Sequence, residues 1–182
     1  SKKDGIKIKE ELLNDISSSI VNMINMNTSS FLIDNDLNGF LIEYVSFLLN
    51  INSCEVLLNL NDVILKFMKF EIENNKNEAI SLGNAHFIIV NILKKVILQE
   101  KNVAFEQSFN VLFEQYYQVI IDNFNEFIST KGVFIVLTIY ESEKFGGKIR
   151  DIVKARRAEL ERVFKENPKS KGVEILLKKL NR

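Results

Sequence analysis

Cationic side chains are concentrated in the last part of the sequence, with a spacing that suits contacts to phosphate groups. Residues 144–182 contain 13 basic and 5 acidic residues, a net charge of +8. Arg150, Lys154 and Arg157 follow one another at i, i+4 and i+7, which is one face of a helix. Such a face neutralises several phosphates and releases their counterions, so its affinity falls steeply with salt. The candidate nucleic-acid-binding residues are Arg150, Lys154, Arg156, Arg157, Arg162, Lys169, Lys171, Lys178 and Lys179.

The same charges also fit a solvated helix surface with many ion pairs, because Glu159, Glu161 and Glu166 lie among the cations. The charges alone favour neither interpretation. The rest of the chain carries 11 basic and 19 acidic residues, a net charge of −8. The zero net charge of the whole chain is therefore the sum of an acidic body and a basic end, and it does not exclude a nucleic-acid-binding protein.

Few other residues suggest chemistry. His86, the only histidine, lies in an apolar run without a nearby Cys or Asp, so we expect a partly buried structural residue and keep phosphate or base contact as a secondary hypothesis. Cys54 precedes an apolar stretch and is expected to be buried and inert. Gly146-Gly147-Lys148 lacks the Ser or Thr of a phosphate-binding loop and is better interpreted as a helix start. Because no nucleophile, base and oxyanion donor come together, we expect no enzyme, no cofactor and no metal site.

The elements that carry these residues are predicted to be helices. Apolar residues recur at helical spacing in residues 8–24, 63–70, 105–121 and 149–164, and Pro168 ends the last of these stripes. Phe105, Phe109 and Phe113 share this spacing, which favours core positions over a base-stacking surface. The β-branched run in residues 133–139 has no strand to pair with and is far too short to span a bilayer. The sequence therefore predicts an all-α fold with no membrane contact.

A repeat accompanies this pattern. Apolar segments begin at Gly39, Gly83, Gly132 and Gly172, spaced 44, 49 and 40 residues apart. Periods of this size with two or three helices per unit are typical of an α-solenoid of the HEAT, armadillo or Pumilio kind, in which each unit covers the apolar face of its neighbour. Helices that open at these glycines are expected to form the inner layer. The uneven period also permits a plain helical bundle.

Several segments resemble one family. The chain opens with SKKD at 1–4, EELL at 10–13 and IS at 16–17, and it closes with SKGVEILLKKL at 170–180. Between them, AHFII at 85–89 and GVFIVL at 132–137 follow in the expected order. These segments resemble the C-terminal region, including the CPL domain, of Penguin-type (Puf-A-like) nucleolar Pumilio proteins.

The resemblance implies a Pumilio/armadillo-like superhelix in which residues 1–182 are a single helical-repeat segment, the C-terminal part of a longer protein. A first residue other than Met agrees with that expectation. The resemblance also implies a nucleolar factor of the nucleus, acting in ribosome biogenesis and pre-rRNA processing. It further implies binding of RNA or DNA with little sequence preference, together with ribosome-assembly proteins as partners.

The residues themselves argue against base reading. Pumilio repeats that read sequence present two or three polar or stacking side chains to each base. Here Val133 and Leu137 follow Gly132, and Val173 and Leu177 occupy the equivalent positions of the last segment. We therefore expect the nucleic-acid backbone to supply the affinity. The alternative is a protein-interaction scaffold, or a solenoid cap, whose acidic N-terminal part holds a ribosome-assembly partner.

Overall fold

The computed structural model describes residues 1–74 and 80–182, without the side chains of residues 6, 10 and 80–84. All regular structure in these residues is helical, which confirms the all-α fold. A 3-10 turn, Val103–Phe105, precedes α6. The helices are α1 (Lys2–Met26), α2 (Thr28–Ile33), α3 (Asn35–Asn50), α4 (Cys54–Asn74), α5 (Ile80–Ile97), α6 (Glu106–Asp122), α7 (Phe124–Ile128), α8 (Val133–Tyr140), α9 (Gly147–Ala155), α10 (Arg157–Glu166) and α11 (Lys171–Leu180).

Two long helices end in the same way. At the end of α1, Asn27 has φ −131° and ψ 32°, and its side-chain amide donates to the Met23 carbonyl at 3.0 Å. At the end of α6, Asn123 has φ −132° and ψ 34°, and its amide donates to the Val119 carbonyl at 2.9 Å. In each case the amide satisfies a carbonyl that the helix leaves unpaired, and a short helix (α2 or α7) begins at the next residue.

The helices contact one another in two rows. In one row α1 packs against α4, α4 against α6 and α6 against α9. In the other row α3 packs against α5, α5 against α8 and α8 against α11. The helices that contain Gly39, Gly83, Gly132 or Gly172, or begin directly after one of them, are the members of the second row.

Phenylalanines fill the core between α6 and the start of α9. Phe105 and Phe109 are buried with their rings stacked at 5.0 Å, and Phe113 stacks on Phe145 at 4.6 Å. The prediction that this stripe forms core is confirmed. Truncating one such ring to Ala typically costs about 3–5 kcal/mol of unfolding free energy.

Three details differ from the sequence predictions. The stripe at 149–164 is not one helix, because the backbone leaves helical geometry at Arg156 and divides it into α9 and α10. α3 does not open at Gly39: it begins at Asn35, where the Asp34 carboxylate accepts the Asp36 and Leu37 N–H groups. Cys54 is half-buried at the first position of α4 rather than fully buried.

Candidate nucleic-acid interface

Arg150 holds the end of α8 in place. Its guanidinium donates to the carbonyl oxygens of Tyr140 at 2.7 Å and Ser142 at 2.8 Å. Tyr140 is the last residue of α8, and the last turn of a helix leaves carbonyl oxygens without partners inside the helix. Ser142 lies two residues further on, and its carbonyl also accepts from the Gly146 N–H at 3.1 Å. Arg150 is half-buried and directed into the protein, so its cation stabilises the fold. Its predicted phosphate contact stays a prediction.

The segment between α8 and α9 is tightly built around this arginine. The buried Ser142 hydroxyl donates to the Glu100 carboxylate at 2.5 Å, and the Phe145 N–H donates to the Ser142 hydroxyl at 2.9 Å. A Cβ at Gly146 would overlap the Arg150 guanidinium and lie 2.5 Å from the Ser142 carbonyl oxygen. Gly146-Gly147 therefore starts a helix, as predicted, and only glycine fits at the first of the two positions.

The arginines of α10 and its junction with α9 are paired. Arg157 donates to Glu161 at 2.8 Å and Arg162 to Glu166 at 3.1 Å. Arg156 lies 3.8 Å from the Glu159 carboxylate and stacks over a buried ring, with its guanidinium carbon 5.1 Å from the Phe124 centroid. Arg157 also donates to the side-chain oxygen of Asn181 at 2.8 Å, and Arg162 donates to that of Asn125 at 2.6 Å.

The lysines of α11 are also paired, and partly with the acidic body. Glu174 accepts from Lys178 at 2.7 Å and from Lys171 at 3.0 Å, and these two bonds lower the pKa of its carboxyl group. Lys179 reaches Glu141 at 3.0 Å. Solvated pairs of this kind weaken the positive potential without fixing the lysines in place.

Three of the nine candidate cations lack an ion pair, and one of them is Arg150, whose partners are carbonyl oxygens. Among the residues that the structure describes, Lys154 and Lys169 are exposed, and their ammonium groups make neither a salt bridge nor a hydrogen bond. Lys165 and Arg182, which lie outside the candidate set, are also exposed, and their charged groups form no ion pair within the described residues. The ion-paired surface that the sequence left open is therefore realised for six of the nine candidates.

Residues at the N-terminal ends of α8 and α11 line a groove of about 370 Å³. Its charged lining residues are Lys131, Lys169 and Lys171, and no carboxylate lines it. Ser129, Thr130, Asn167 and Ser170 add polar groups, and Val133, Phe134 and Gly172 complete the lining. We call it the α8–α11 groove. Three cations thus line a single concave surface.

Gly172 brings the two helix ends together. It is buried, and a Cβ at this position would overlap the Cγ1 methyl of Val133. Close contact here places Lys171 beside the turn that carries Lys131. Sequence reasoning missed Lys131 because it lies outside the basic end. A signal was present: Lys-Gly-Val occurs at both 131–133 and 171–173.

His86 lies next to this groove. Its half-buried ring is 5.9 Å from the ring of Phe134, which lines the groove. His86, the secondary candidate, therefore lies behind Phe134 and is not itself among the residues that line the groove.

Comparisons with family models, with curated proteins and with solved structures find no match for this chain. Among the described residues, no helix has both the length and the apolar character needed to cross a membrane. In the same part of the chain, no group of three or more His, Cys, Asp and Glu side chains is placed to hold a metal ion.

Proposed function

We propose that this chain binds the backbone of RNA or DNA without reading its sequence. The α8–α11 groove is the observation that carries the proposal, because three lysines and no carboxylate line a cavity of about 370 Å³. One of the three, Lys171, also contacts Glu174 outside the groove lining. Hydroxyl groups of Ser129 and Ser170 at the edges of the groove are further donors to phosphate oxygens. The remaining basic surface of α9–α11 adds long-range attraction for a polyanion.

The groove has the character of a site for backbone rather than for base edges. Val133 is buried against Gly172 and presents no polar atom to a ligand. The Phe134 ring offers a face on which any base can stack, which tolerates all sequences. Binding strength in such a site comes from counterion release and stacking, so unrelated sequences bind with similar affinity.

The architecture we propose around this groove is a Pumilio-like α-solenoid. The two rows of successively contacting helices, α1–α4–α6–α9 and α3–α5–α8–α11, support it, as do the matching ends of α1 and α6 at Asn27 and Asn123. With the resemblance to nucleolar Pumilio proteins, this favours a segment of a pre-rRNA-processing factor. Its partners would be pre-rRNA and ribosome-assembly proteins in the nucleolus.

The test is to neutralise the groove and to measure the salt dependence of binding. In the Lys131→Gln/Lys169→Gln/Lys171→Gln variant, the slope of log K against log salt is expected to fall by about 2–3, roughly one per lost phosphate contact. The loss should be the same for two unrelated single-stranded RNAs. Fluorescence anisotropy over a salt series measures both quantities.

A matched control removes the same charge from another surface. The Lys2→Gln/Lys3→Gln/Lys7→Gln variant alters α1, which packs against α2 and α4, and it should keep the wild-type slope. Equal losses in the two variants would show that total charge, rather than the groove, drives binding.

The alternative function is a protein-interaction scaffold, and the exposed apolar face of α1 favours it. Ile8, Leu12 and Ile16 are each more than half exposed. If the wild-type chain fails to bind RNA or heparin at about 50 mM salt, where phosphate contacts are strong, the scaffold becomes the better explanation.

A further inference from the structure

An apolar row runs along the outward side of α1. Ile8, Leu12 and Ile16 follow at four-residue spacing with exposed fractions of 56%, 55% and 55%, and Met23 continues the row at 42%. On the opposite side of the helix, Ser17 and Ile24 are buried, and α4 packs against α1. The helix therefore has two apolar sides, and the protein covers one of them.

The uncovered side of α1 contains a shallow apolar groove. Ile16, Ile20 and Met23 line a depression of about 370 Å³, and Asp15 and Ser19 close one edge. Four-residue spacing builds the ridges and grooves by which helices pack on each other. The shape thus suits the side-chain ridge of another helix, as in helix-in-groove recognition.

Carboxylates border the row on one edge. Glu11 lies three residues after Ile8, and Asp15 lies three residues after Leu12, so both are neighbours of the row on the helix surface. Both are exposed, and neither forms an ion pair within the described residues. On the other edge lies Lys9, with the uncharged Leu13 and Ile20 beyond it along the helix. The edge of the apolar row that carries Glu11 and Asp15 is therefore negatively charged.

We propose that this face of α1 docks a basic amphipathic helix of a protein partner. Apolar side chains of the partner, spaced i, i+4 and i+8, would pack between Leu12, Ile16 and Met23. Its Lys or Arg side chains would pair with Glu11 and Asp15. The docked helix would lie on the side of α1 opposite α4 and would extend the row in which α4, α6 and α9 already pack side by side.

The charges disfavour a second copy of the chain docked antiparallel on this face. In an antiparallel pair of α1 helices about a two-fold axis, identical edges meet, so the Glu11 and Asp15 carboxylates of both copies would face one another. Like charges at that distance are destabilising. A nucleic acid is disfavoured by the same carboxylates, which separates this face from the α8–α11 groove.

The test uses two synthetic helical peptides with the same leucine row. One carries Lys on both flanks, and the other carries Glu at the same positions. Fluorescence anisotropy with the whole chain should give tighter binding of the Lys peptide. The Glu11→Lys/Asp15→Lys variant should weaken Lys-peptide binding about tenfold and reverse the preference between the peptides.

A second variant tests the apolar contact. Leu12→Ser should also lower Lys-peptide affinity about tenfold, since it exchanges a leucine that the docked helix would bury for a polar group. It should leave RNA binding unchanged. Its matched control is Leu98→Ser, at a residue that is 82% exposed and follows the end of α5. Far-UV circular dichroism checks that each variant stays folded.

Three results would overturn the inference. The first is equal binding of the Lys and Glu peptides, and the second is an unchanged affinity in Leu12→Ser. The third is self-association of the wild-type chain in sedimentation that disappears in Leu12→Ser, because a second copy would then be the occupant of this face.

Discussion

Replacing Arg150 by Met is expected to destabilise the fold. The substitution keeps the length of the side chain but removes the donors to the Tyr140 and Ser142 carbonyls, at 2.7 and 2.8 Å. A hydrogen bond from a charged donor contributes about 1.5–3 kcal/mol. Because Arg150 is half-buried and the Ser142 carbonyl keeps the Gly146 N–H as a donor at 3.1 Å, we take about 1.5 kcal/mol for the Tyr140 bond and about 1 kcal/mol for the Ser142 bond. The expected loss of unfolding free energy is about 2–3 kcal/mol.

Urea denaturation followed by far-UV circular dichroism measures this loss. A chain of this length loses about 2–4 °C of Tm per kcal/mol, so Tm should fall by about 5–10 °C. The dependence of the unfolding free energy on urea concentration should not change, since the same surface is exposed on unfolding.

Lys154→Met is the matched control. Lys154 lies one turn further along α9, is exposed, and makes no ion pair or hydrogen bond through its ammonium group in the described structure. Its replacement should change stability by no more than about 0.5 kcal/mol. If Arg150→Met is as stable as the wild type while RNA affinity falls as far as in the groove variant, Arg150 contacts phosphate and its role at the end of α8 is refuted.

Two further predictions concern the core. Gly172→Ala should cost about 1–3 kcal/mol of unfolding free energy, because the new methyl group overlaps Val133. Thermal unfolding measures the cost. If the variant is as stable as the wild type, α8 and α11 are not in close contact. Tyr116→Phe should raise the unfolding free energy by about 1 kcal/mol, because the buried Tyr116 hydroxyl has no hydrogen-bond partner among the described residues and burial raises its pKa. A loss of stability in urea denaturation of Tyr116→Phe would instead indicate that the hydroxyl is satisfied.

The local spacing of residues determined much of what the sequence could show. Helix formation depends on side chains three and four positions apart, so the stripes at 8–24 and 105–121 identified α1 and α6, and Phe109 was correctly assigned to the core. Net charge is additive along the chain, so the basic end was also visible. The break at Arg156 was missed because the apolar spacing continues across it.

Only the tertiary structure decided what each cation does. The partners of Arg150 are carbonyls of the preceding helix end, and Lys179 meets Glu141, 38 positions away in the chain. Lys131 joins Lys169 and Lys171 because Gly172 lets α11 approach α8. In the same way, Ile8 and Leu12 have the spacing of core residues, yet packing covers only the other side of α1. Spacing defines the faces of a helix, but the packing of distant segments decides which face is buried and which charges meet.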